Sequence, residues 1–209
     1  MSIILHESQV QEQLNFLIDT LQRGGLIVYP TETLYGIGCD AFNRDANMKI
    51  CALKKRDFSR PMLVLIDSIA SSLALAADHH DVIEQLGTFF WPGALTIIVG
   101  ASSTVPEWLS SNEKKIAFRV SSNPSALMIT HSLMKPLIST SANSTGDSPC
   151  SSIEQAVHLF QEKIDIYVDG GTLEGTSSTI IDINSLPAHI VREGRLPVAQ
   201  IREKFPYLF

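Results

Sequence analysis

Two basic side chains stand close together at the predicted end of a helix. Lys54 and Arg56 are separated by one residue. Lysine supplies a compact positive charge and arginine a planar fork of donors, and both suit a phosphate or carboxylate ligand. The same residue types are also typical of a solvated helix terminus, where they satisfy the last carbonyl groups. The spacing alone permits an anion site and an ordinary helix end.

A second polar cluster lies at the end of an apolar run. Ser139, Ser141 and Asn143 stand at or just after a strand predicted over 136–140. Ligands of α/β proteins often bind at the carboxyl ends of strands, and these groups can bond phosphate oxygens and a ribose. A turn rich in Asn and Ser explains the same residues without a ligand. The hydroxyls of 177–179, before another predicted strand, would add to such a lining.

The common catalytic motifs are missing or lack their context. A GxxxxGK[ST] sequence does not occur, so the chain is not a P-loop protein. The six histidines show no H-x-x-x-H spacing and the three cysteines no CxxC, so we predict neither a metal site nor a disulfide framework. Two cations, several hydroxyls and glycine-containing loops suit a nucleotide bound beside an amino acid. Catalysis would then come from positioning and charge stabilisation.

The hydrophobic pattern predicts the elements that must position these residues. Apolar residues at helical spacing and short buried runs alternate along the chain. We predict helices over 7–23, 45–55, 69–77, 82–89, 124–133, 153–161 and 196–204, and strands over 26–29, 62–66, 95–99, 116–120, 136–140, 164–168, 179–183 and 189–191. Several strands follow one another with only turns between them. We therefore expect an α+β fold with a mixed sheet and helices packed on it, not a regular doubly wound one.

Composition limits the class of protein. The 209 residues are 44% hydrophobic and 18% charged, which is typical of one globular domain over 1–209. The net charge of −6 argues against a surface that is basic overall, although a local basic groove remains open. The N-terminus has no signal-peptide pattern, and the apolar runs are only as long as strands. We expect a cytoplasmic protein with no membrane partner.

At this point the sequence becomes recognisable as a family member. The segment 29–38, YPTETLYGIG, strongly resembles the opening motif of the YrdC/Sua5 family. Lys54-x-Arg56 and Ser141-x-Asn143 match the paired K-x-R and S-x-N signature of that family. The segments 90–96, 117–120, 177–182 and 192–194 follow in the family's order. The resemblance covers about residues 10–195.

The resemblance implies synthesis of threonylcarbamoyl-AMP. Such enzymes convert L-threonine, bicarbonate and ATP, with Mg²⁺ on the phosphates, into this adenylate and diphosphate. Other proteins then transfer the threonylcarbamoyl group to adenosine 37 of tRNA, and tRNA itself would be contacted weakly at most. The implied α+β fold has three layers, with a twisted mixed sheet around a concave, positively lined cleft. The length of 209 residues suits the short, single-domain form of the family.

The resemblance also implies roles for single residues. Those expected at ATP are Lys54, Arg56, Lys115, Ser141, Asn143 and Arg192, with Lys54 and Arg56 catalytic; those expected at threonine are Thr31, Arg119, Ser139 and Ser178. One position departs from the pattern, because Asp57 stands where members usually have proline. Its carboxylate would either pair with Arg56 or Arg60, weakening phosphate binding, or face solvent.

Two other functions stay open from the sequence. A non-catalytic protein of the same fold would bind double-stranded RNA or tRNA through a basic patch. The residues available to that patch are Lys54, Lys55, Arg56, Arg60, Lys114 and Lys115. The net charge of −6 argues against it, since neutralisation of phosphates dominates such binding. The other possibility is that the chain is a carbamoyl-adenylate domain of hydrogenase maturation. Such domains usually belong to much longer chains, so the length of 209 residues argues against it.

Overall fold

A computed structural model describes residues 2–56, 62–110 and 112–209. Its strands are β1 Ile3–His6, β2 Ile27–Tyr29, β3 Gly36–Gly38, β4 Leu63–Leu65, β5 Leu95–Gly100, β6 Lys115–Arg119, β7 Leu137–Ile138, β8 Thr140–Ser141, β9 Ile166–Asp169, β10 Thr179–Asp182 and β11 His189–Arg192. Its α-helices are α1 Leu14–Gln22, α2 Arg44–Lys54, α3 Ile69–Leu75, α4 His80–Phe90, α5 Pro124–Leu133, α6 Ile153–Phe160 and α7 Val198–Lys204. The predicted α+β class is confirmed.

The strands form two mixed sheets that meet at β7. One sheet has the order β1-β9-β2-β3-β8, and the other has the order β11-β10-β5-β6-β4-β7. A bridge between Asp40 and Leu137 and a 2.9 Å bond from Ile138 N to Cys39 O join the end of β3 to β7. This junction brings the loop after β2 and the segment around β8 to the same side of the molecule.

Two layers of apolar side chains hold the sheets and helices together. One core cluster joins both sheets and includes Val28, Ile97 and Phe118, all fully buried. The other packs α1 and α5 on the five-stranded sheet through residues such as Leu17 and Ile129. Burial of each large side chain stabilises the fold by roughly 1.5–3 kcal/mol. The two sheets therefore have a fixed relative position on either side of the cavity described below.

The prediction of a helix over 7–23 is wrong for the first half of that segment. Residues 3–6 form β1, which pairs in parallel with β9, and α1 begins only at Leu14. His6 caps a 3₁₀ turn instead: its Nδ1 accepts a bond from Ser8 N, and Gln9 Oε1 accepts one from His6 N. This local hydrogen bonding offers the backbone an alternative to an α-helix over the first half of the segment.

Strand β3 was not predicted either, because it lies between the strand predicted over 26–29 and the helix predicted over 45–55. Gly38 explains why a strand fits there. A Cβ at Gly38 would lie 2.8 Å from Ile138 O and 2.7 Å from a ring carbon of Tyr29. Glycine thus permits the close approach of β3 to β2 and β7. The result places the 30–35 loop beside the segment that leads into β8.

Among the described residues, no helix is long and apolar enough to cross a membrane.

Candidate anion-binding cleft

A cavity of about 510 Å³ lies where the two sheets meet. Its wall on one side comes from the loop after β2 and from the segment that joins β7 to β8, and on the other from β5, β6 and β10. The residues with side chains of predicted function in this lining are Thr31, Arg56, Arg119, Ser139, Ser141, Ser178 and Arg192. The structure thus brings together seven residues that stand up to 161 positions apart in the sequence (192 − 31).

Another cavity is larger, at about 640 Å³, but its chemistry differs. Apolar side chains such as Phe42, Ile66 and Met134 line most of it. Its lysine, Lys135, is 2.8 Å from the carboxylate of Asp40. The smaller cavity is the better candidate because it gathers arginines and hydroxyls that an anionic substrate needs.

Strand register builds the floor of the cleft. Residues that pair across neighbouring strands face the same side of a sheet, as do alternate residues of one strand. Thr96, Arg119 and Ser178 therefore share one face of the six-stranded sheet. Ile180 pairs with Thr96 across β10 and β5, and Ser178, two residues before Ile180, lies diagonally from Thr96 on the same face. Their hydroxyl oxygens are 2.8 Å apart and both side chains are buried.

The loop after β2 folds around Thr31. The Thr31 hydroxyl donates to Leu34 O at 2.7 Å and accepts bonds from the backbone N–H of Thr33 and Leu34. The Thr33 hydroxyl lies 2.9 Å from that of Thr31 and accepts a 3.3 Å bond from Arg119 Nη1. Thr31 therefore shapes the loop that lines the cleft, and Thr33 ties the loop to the sheet.

A buried ion pair fixes Arg119. Its guanidinium is 3% exposed and lies 3.1 Å from Glu32 Oε1, while Ser121 Oγ donates to the other oxygen of Glu32. Burial lowers the pKa of Arg119 and the Glu32 carboxylate opposes that shift, and a guanidinium stays charged in either case. Within the described residues, the buried Nε of Arg119 makes no hydrogen bond. Arg119 thus lines the cavity and keeps beneath its surface one N–H donor that no described residue accepts.

Arg192 approaches from the other side of Ser178. Its Nε and Nη2 donate to Ser178 O at 3.2 and 3.0 Å. Burial, and then the charge of Arg119, lower the pKa of Arg192. Arg56 belongs to the same lining, so three positively charged guanidinium groups border the cavity. Such an arrangement favours a ligand with negative charge, because the ligand relieves the repulsion.

Lys54 is placed differently from Arg56. Its ammonium is bonded to Ser141 O at 2.5 Å, Asn143 O at 2.9 Å and Asn143 Oδ1 at 2.9 Å. The side chain is buried, and it is not among the described residues that line the cavity. Burial, and then the charge of Arg56, lower the pKa of Lys54 to about 8. The K-x-R pair therefore divides between a turn and the cleft.

Ser141 and Asn143 form the turn that Lys54 holds. Ser141 Oγ donates to Asn143 Oδ1 at 2.6 Å, and Asn143 Nδ2 donates to Asp147 O at 2.6 Å. Ser141 lines the cavity, whereas Asn143 does not belong to the described lining. The contact of Asn143 with ATP stays a prediction.

Lys115 lies outside the cleft. Its ammonium is 2.7 Å from a Glu113 oxygen and 3.0 Å from Asp182 Oδ2, and Glu113 is the main cause of its raised pKa. It stands four residues before Arg119 on β6, or about 13 Å along the strand. The structure does not bring Lys115 into the described lining, and its contact with ATP stays a prediction. The departure at Asp57, and Arg60 with it, lie outside the described residues.

Sequence reasoning missed Glu32, Thr33 and Thr96. Glu32 and Thr33 stand inside the motif at 29–38, so their position was visible but their role was not. The partner of Glu32 is 87 positions away, at Arg119 (119 − 32). Only the pairing of the two sheets reveals that contact. Among the described residues, no cluster of three His, Cys, Asp or Glu is placed to hold a metal.

Comparison with known proteins agrees with the family resemblance of the sequence. The family model Sua5_yciO_yrdC, described as "Telomere recombination", matches residues 19–194. Threonylcarbamoyl-AMP synthase of Pyrococcus abyssi is 31% identical over 206 residues, which are 97% of this chain and 61% of that protein. Threonylcarbamoyl-AMP synthase of Pseudoalteromonas translucida is 34% identical over 177 residues, 82% of this chain and 94% of that protein. The chain therefore spans less than two thirds of the archaeal relative and nearly all of the bacterial one.

The fold is also that of a solved structure. Sua5 of P. abyssi in complex with L-threonine superimposes with a TM-score of 0.90 at 28% identity. The match covers 99% of this chain and 61% of that chain.

Proposed function

Because the chain belongs to the Sua5/YciO/YrdC family, we propose that it is a threonylcarbamoyl-AMP synthase. It would condense L-threonine, bicarbonate and ATP to threonylcarbamoyl-AMP and diphosphate. The observation that carries this proposal is the convergence of Arg56, Arg119 and Arg192 on one hydroxyl-lined cavity. The names of the two relatives and the threonine complex of the structural neighbour support it.

The chemistry needs two steps. The threonine amine attacks the carbon of bicarbonate, and loss of water leaves an N-carboxylate. An oxygen of this carboxylate then attacks the α-phosphorus of ATP, and the bond to diphosphate breaks. Negative charge grows around phosphorus in the second step, so Arg56 and Arg192 would lower its barrier. Mg²⁺ would enter with ATP, held by phosphate oxygens and water.

The lining suggests how the substrates divide the cavity. We assign ATP to the side with Arg56, Ser141 and Arg192. Threonine would lie against the residues that surround the Glu32–Arg119 pair and the floor: Thr31, Arg119, Ser139 and Ser178. The buried Nε of Arg119 would then bond the threonine carboxylate, since a guanidinium suits that group. The product would pass to other proteins for transfer to tRNA, in the cytoplasm.

The contacts of the described cations argue against an RNA-binding protein without chemistry. Two of the lysines available to its basic patch are poorly placed for RNA. Lys54 is 4% exposed, and Lys115 lies within ion-pair distance of two carboxylates. A carbamoyl-adenylate domain of hydrogenase maturation would use a related cleft, but the curated relatives above, at 31% and 34% identity, are both named threonylcarbamoyl-AMP synthase.

Diphosphate release tests the proposal. Purified protein is incubated with ATP and Mg²⁺, and with threonine and bicarbonate added singly or together. We expect release only when both are present, and a drop of about 10- to 100-fold in Arg56→Gln, because a charge-assisted contact is lost. Release that ignores threonine, or tight tRNA binding with a steep salt dependence and no release, would contradict the proposal.

A further inference from the structure

The ammonium of Lys54 is fully engaged by one turn of the protein. An ammonium has three N–H donors and no acceptor. Three acceptors, Ser141 O, Asn143 O and Asn143 Oδ1, lie 2.5–2.9 Å from Lys54 Nζ. Every donor therefore has a protein partner, and a phosphate oxygen could bind Lys54 only by displacing one of them.

The turn is closed further by one bond to the same helix end and by two backbone bonds of Ala142. Thr145 Oγ1 donates to Lys54 O at 2.5 Å. Ala142 N bonds Tyr35 O, and Cys150 N bonds Ala142 O, both at 2.8 Å. Lys54 thus lies at the centre of a network that links the end of α2, the 141–150 segment and the residue before β3. The network presents the Ser141 side chain to the cleft.

Arg56 shows the contrast two residues later. It lines the cavity, whereas Lys54 does not belong to the described lining. The partners of Lys54 are neutral oxygens, which take up its hydrogens without neutralising its charge. After burial, the charge of Arg56 is the next cause of the lowered pKa of Lys54.

We propose that Lys54 is a positioning residue that holds the Ser141–Asn143 turn in its substrate-ready shape, and that Arg56 is the member of the K-x-R pair that touches the anion. The effect of Lys54 on catalysis rests on the proposed function. The role of Lys54 in holding the turn does not, because it concerns the protein without substrate. A tetrahedral ammonium fits three convergent acceptors, and a planar guanidinium does not, so arginine cannot take the place of Lys54.

Hydrogen exchange and kinetics together test the role. The variants are Lys54→Met, Lys54→Arg and, as a matched control, Lys55→Met at the exposed neighbouring lysine. Exchange is followed in the ligand-free proteins over residues 141–150, with α5 as the internal reference. We expect Lys54→Met and Lys54→Arg to raise exchange over 141–150 by at least about tenfold and to leave α5 unchanged. Lys55→Met should match the wild type.

Threonine-dependent diphosphate release is measured on the same proteins. The proposal predicts a similar loss of kcat/KM in Lys54→Met and Lys54→Arg. Substantial rescue by Lys54→Arg, with unchanged exchange over 141–150 in both variants, would overturn it, because that result indicates a direct charge contact with substrate.

Asn143→Ala keeps the test decisive if a Lys54 variant fails to fold. It removes the Oδ1 acceptor from the other side and should loosen 141–150 in the same way. The double variant with Lys54→Met, where it folds, should lose little beyond the larger single loss. Unchanged exchange over 141–150 in Asn143→Ala, or single losses that multiply, would overturn the proposal. If the wild type releases no threonine-dependent diphosphate, the proposed function fails, while the exchange result still decides whether Lys54 holds the turn.

Discussion

Two nearly buried cations stand on opposite sides of the cleft and are stabilised in different ways. Arg119 is 3% exposed and faces the carboxylate of Glu32. Lys54 is 4% exposed and bonds neutral oxygens of the 141–143 turn. The carboxylate compensates the charge of Arg119, whose buried Nε makes no hydrogen bond among the described residues, whereas the turn takes up every donor of Lys54. The difference teaches that burial alone does not identify a substrate contact; the chemistry of the partner decides.

The largest expected effect comes from removing the compensating charge of Arg119. Glu32→Gln leaves a buried guanidinium beside a neutral amide, which should lower the free energy of unfolding by about 3–5 kcal/mol. Urea denaturation measures it, with Glu12→Gln at an exposed position as the control. A loss below about 1 kcal/mol, as for an exposed ion pair, would contradict the buried-pair description.

Substrate contacts should show the opposite balance. Arg192→Gln removes a cation that lines the cleft and whose guanidinium donates to Ser178 O. We expect kcat/KM to fall by about 10- to 100-fold while the free energy of unfolding changes little. Arg23→Gln, at an exposed arginine away from the cleft, serves as the control. A large stability loss with unchanged kcat/KM would show that Arg192 is structural.

The pH dependence of activity sharpens the account of Lys54. Burial and Arg56 lower its pKa to about 8, so the ammonium is present below that pH and is lost as the pH rises through it. A neutral amine has only two N–H donors for three acceptors, and the turn should loosen. We expect the ratio of wild-type to Lys54→Met kcat/KM to fall severalfold between about pH 7 and pH 9.

Taking that ratio removes the titration of the threonine amine, which affects both proteins alike. The nearby Cys150 thiol does not interfere, because burial raises its pKa above the ordinary value. A ratio that stays constant across this range would contradict the prediction for Lys54.

The smallest effect is expected at Thr33. Thr33→Val keeps the shape of the side chain but removes the hydroxyl that accepts a 3.3 Å bond from Arg119. Because Glu32 continues to hold the guanidinium, we expect a loss of about 1 kcal/mol in the free energy of unfolding. Thermal unfolding measures it, with Thr172→Val at an exposed threonine as the reference. A loss as large as that of Glu32→Gln would mean that Thr33, not Glu32, fixes Arg119.

Much of the fold was predictable because its signals are local. The helix over Pro124–Leu133 was predicted with the bounds that the structure has, since Pro124 and the cap at Asn123 mark its start. The start of α1 was not, because His6 and Gln9 form a cap whose ring and amide bonds leave no periodic pattern. Strand β3 was missed for a different reason: besides its neighbour β2 it depends on β7 and β8, which lie far away in sequence, and Gly38 allows the close approach to β2 and β7.

The candidate site shows the same limit. Motif resemblance identified seven of the residues that line the cleft, because those types recur at recognisable spacings. It could not separate Lys54 from Arg56, which share a motif but not an environment. Nor could it find Glu32 as the partner of Arg119, since that contact exists only after two sheets meet. Residue type is read from sequence, but the partner of a buried charge is not.

The central claim is that this cleft joins bicarbonate carbon to both threonine and AMP. The most direct test is incubation with carbon-13 bicarbonate, threonine and ATP, followed by mass spectrometry of the nucleotide products, with Arg56→Gln in parallel. We predict one labelled species that contains threonine and AMP in the wild type and about 10- to 100-fold less of it in the variant. Diphosphate release with AMP or an unlabelled adenylate as its only nucleotide product, or equal yields from both proteins, would contradict the claim.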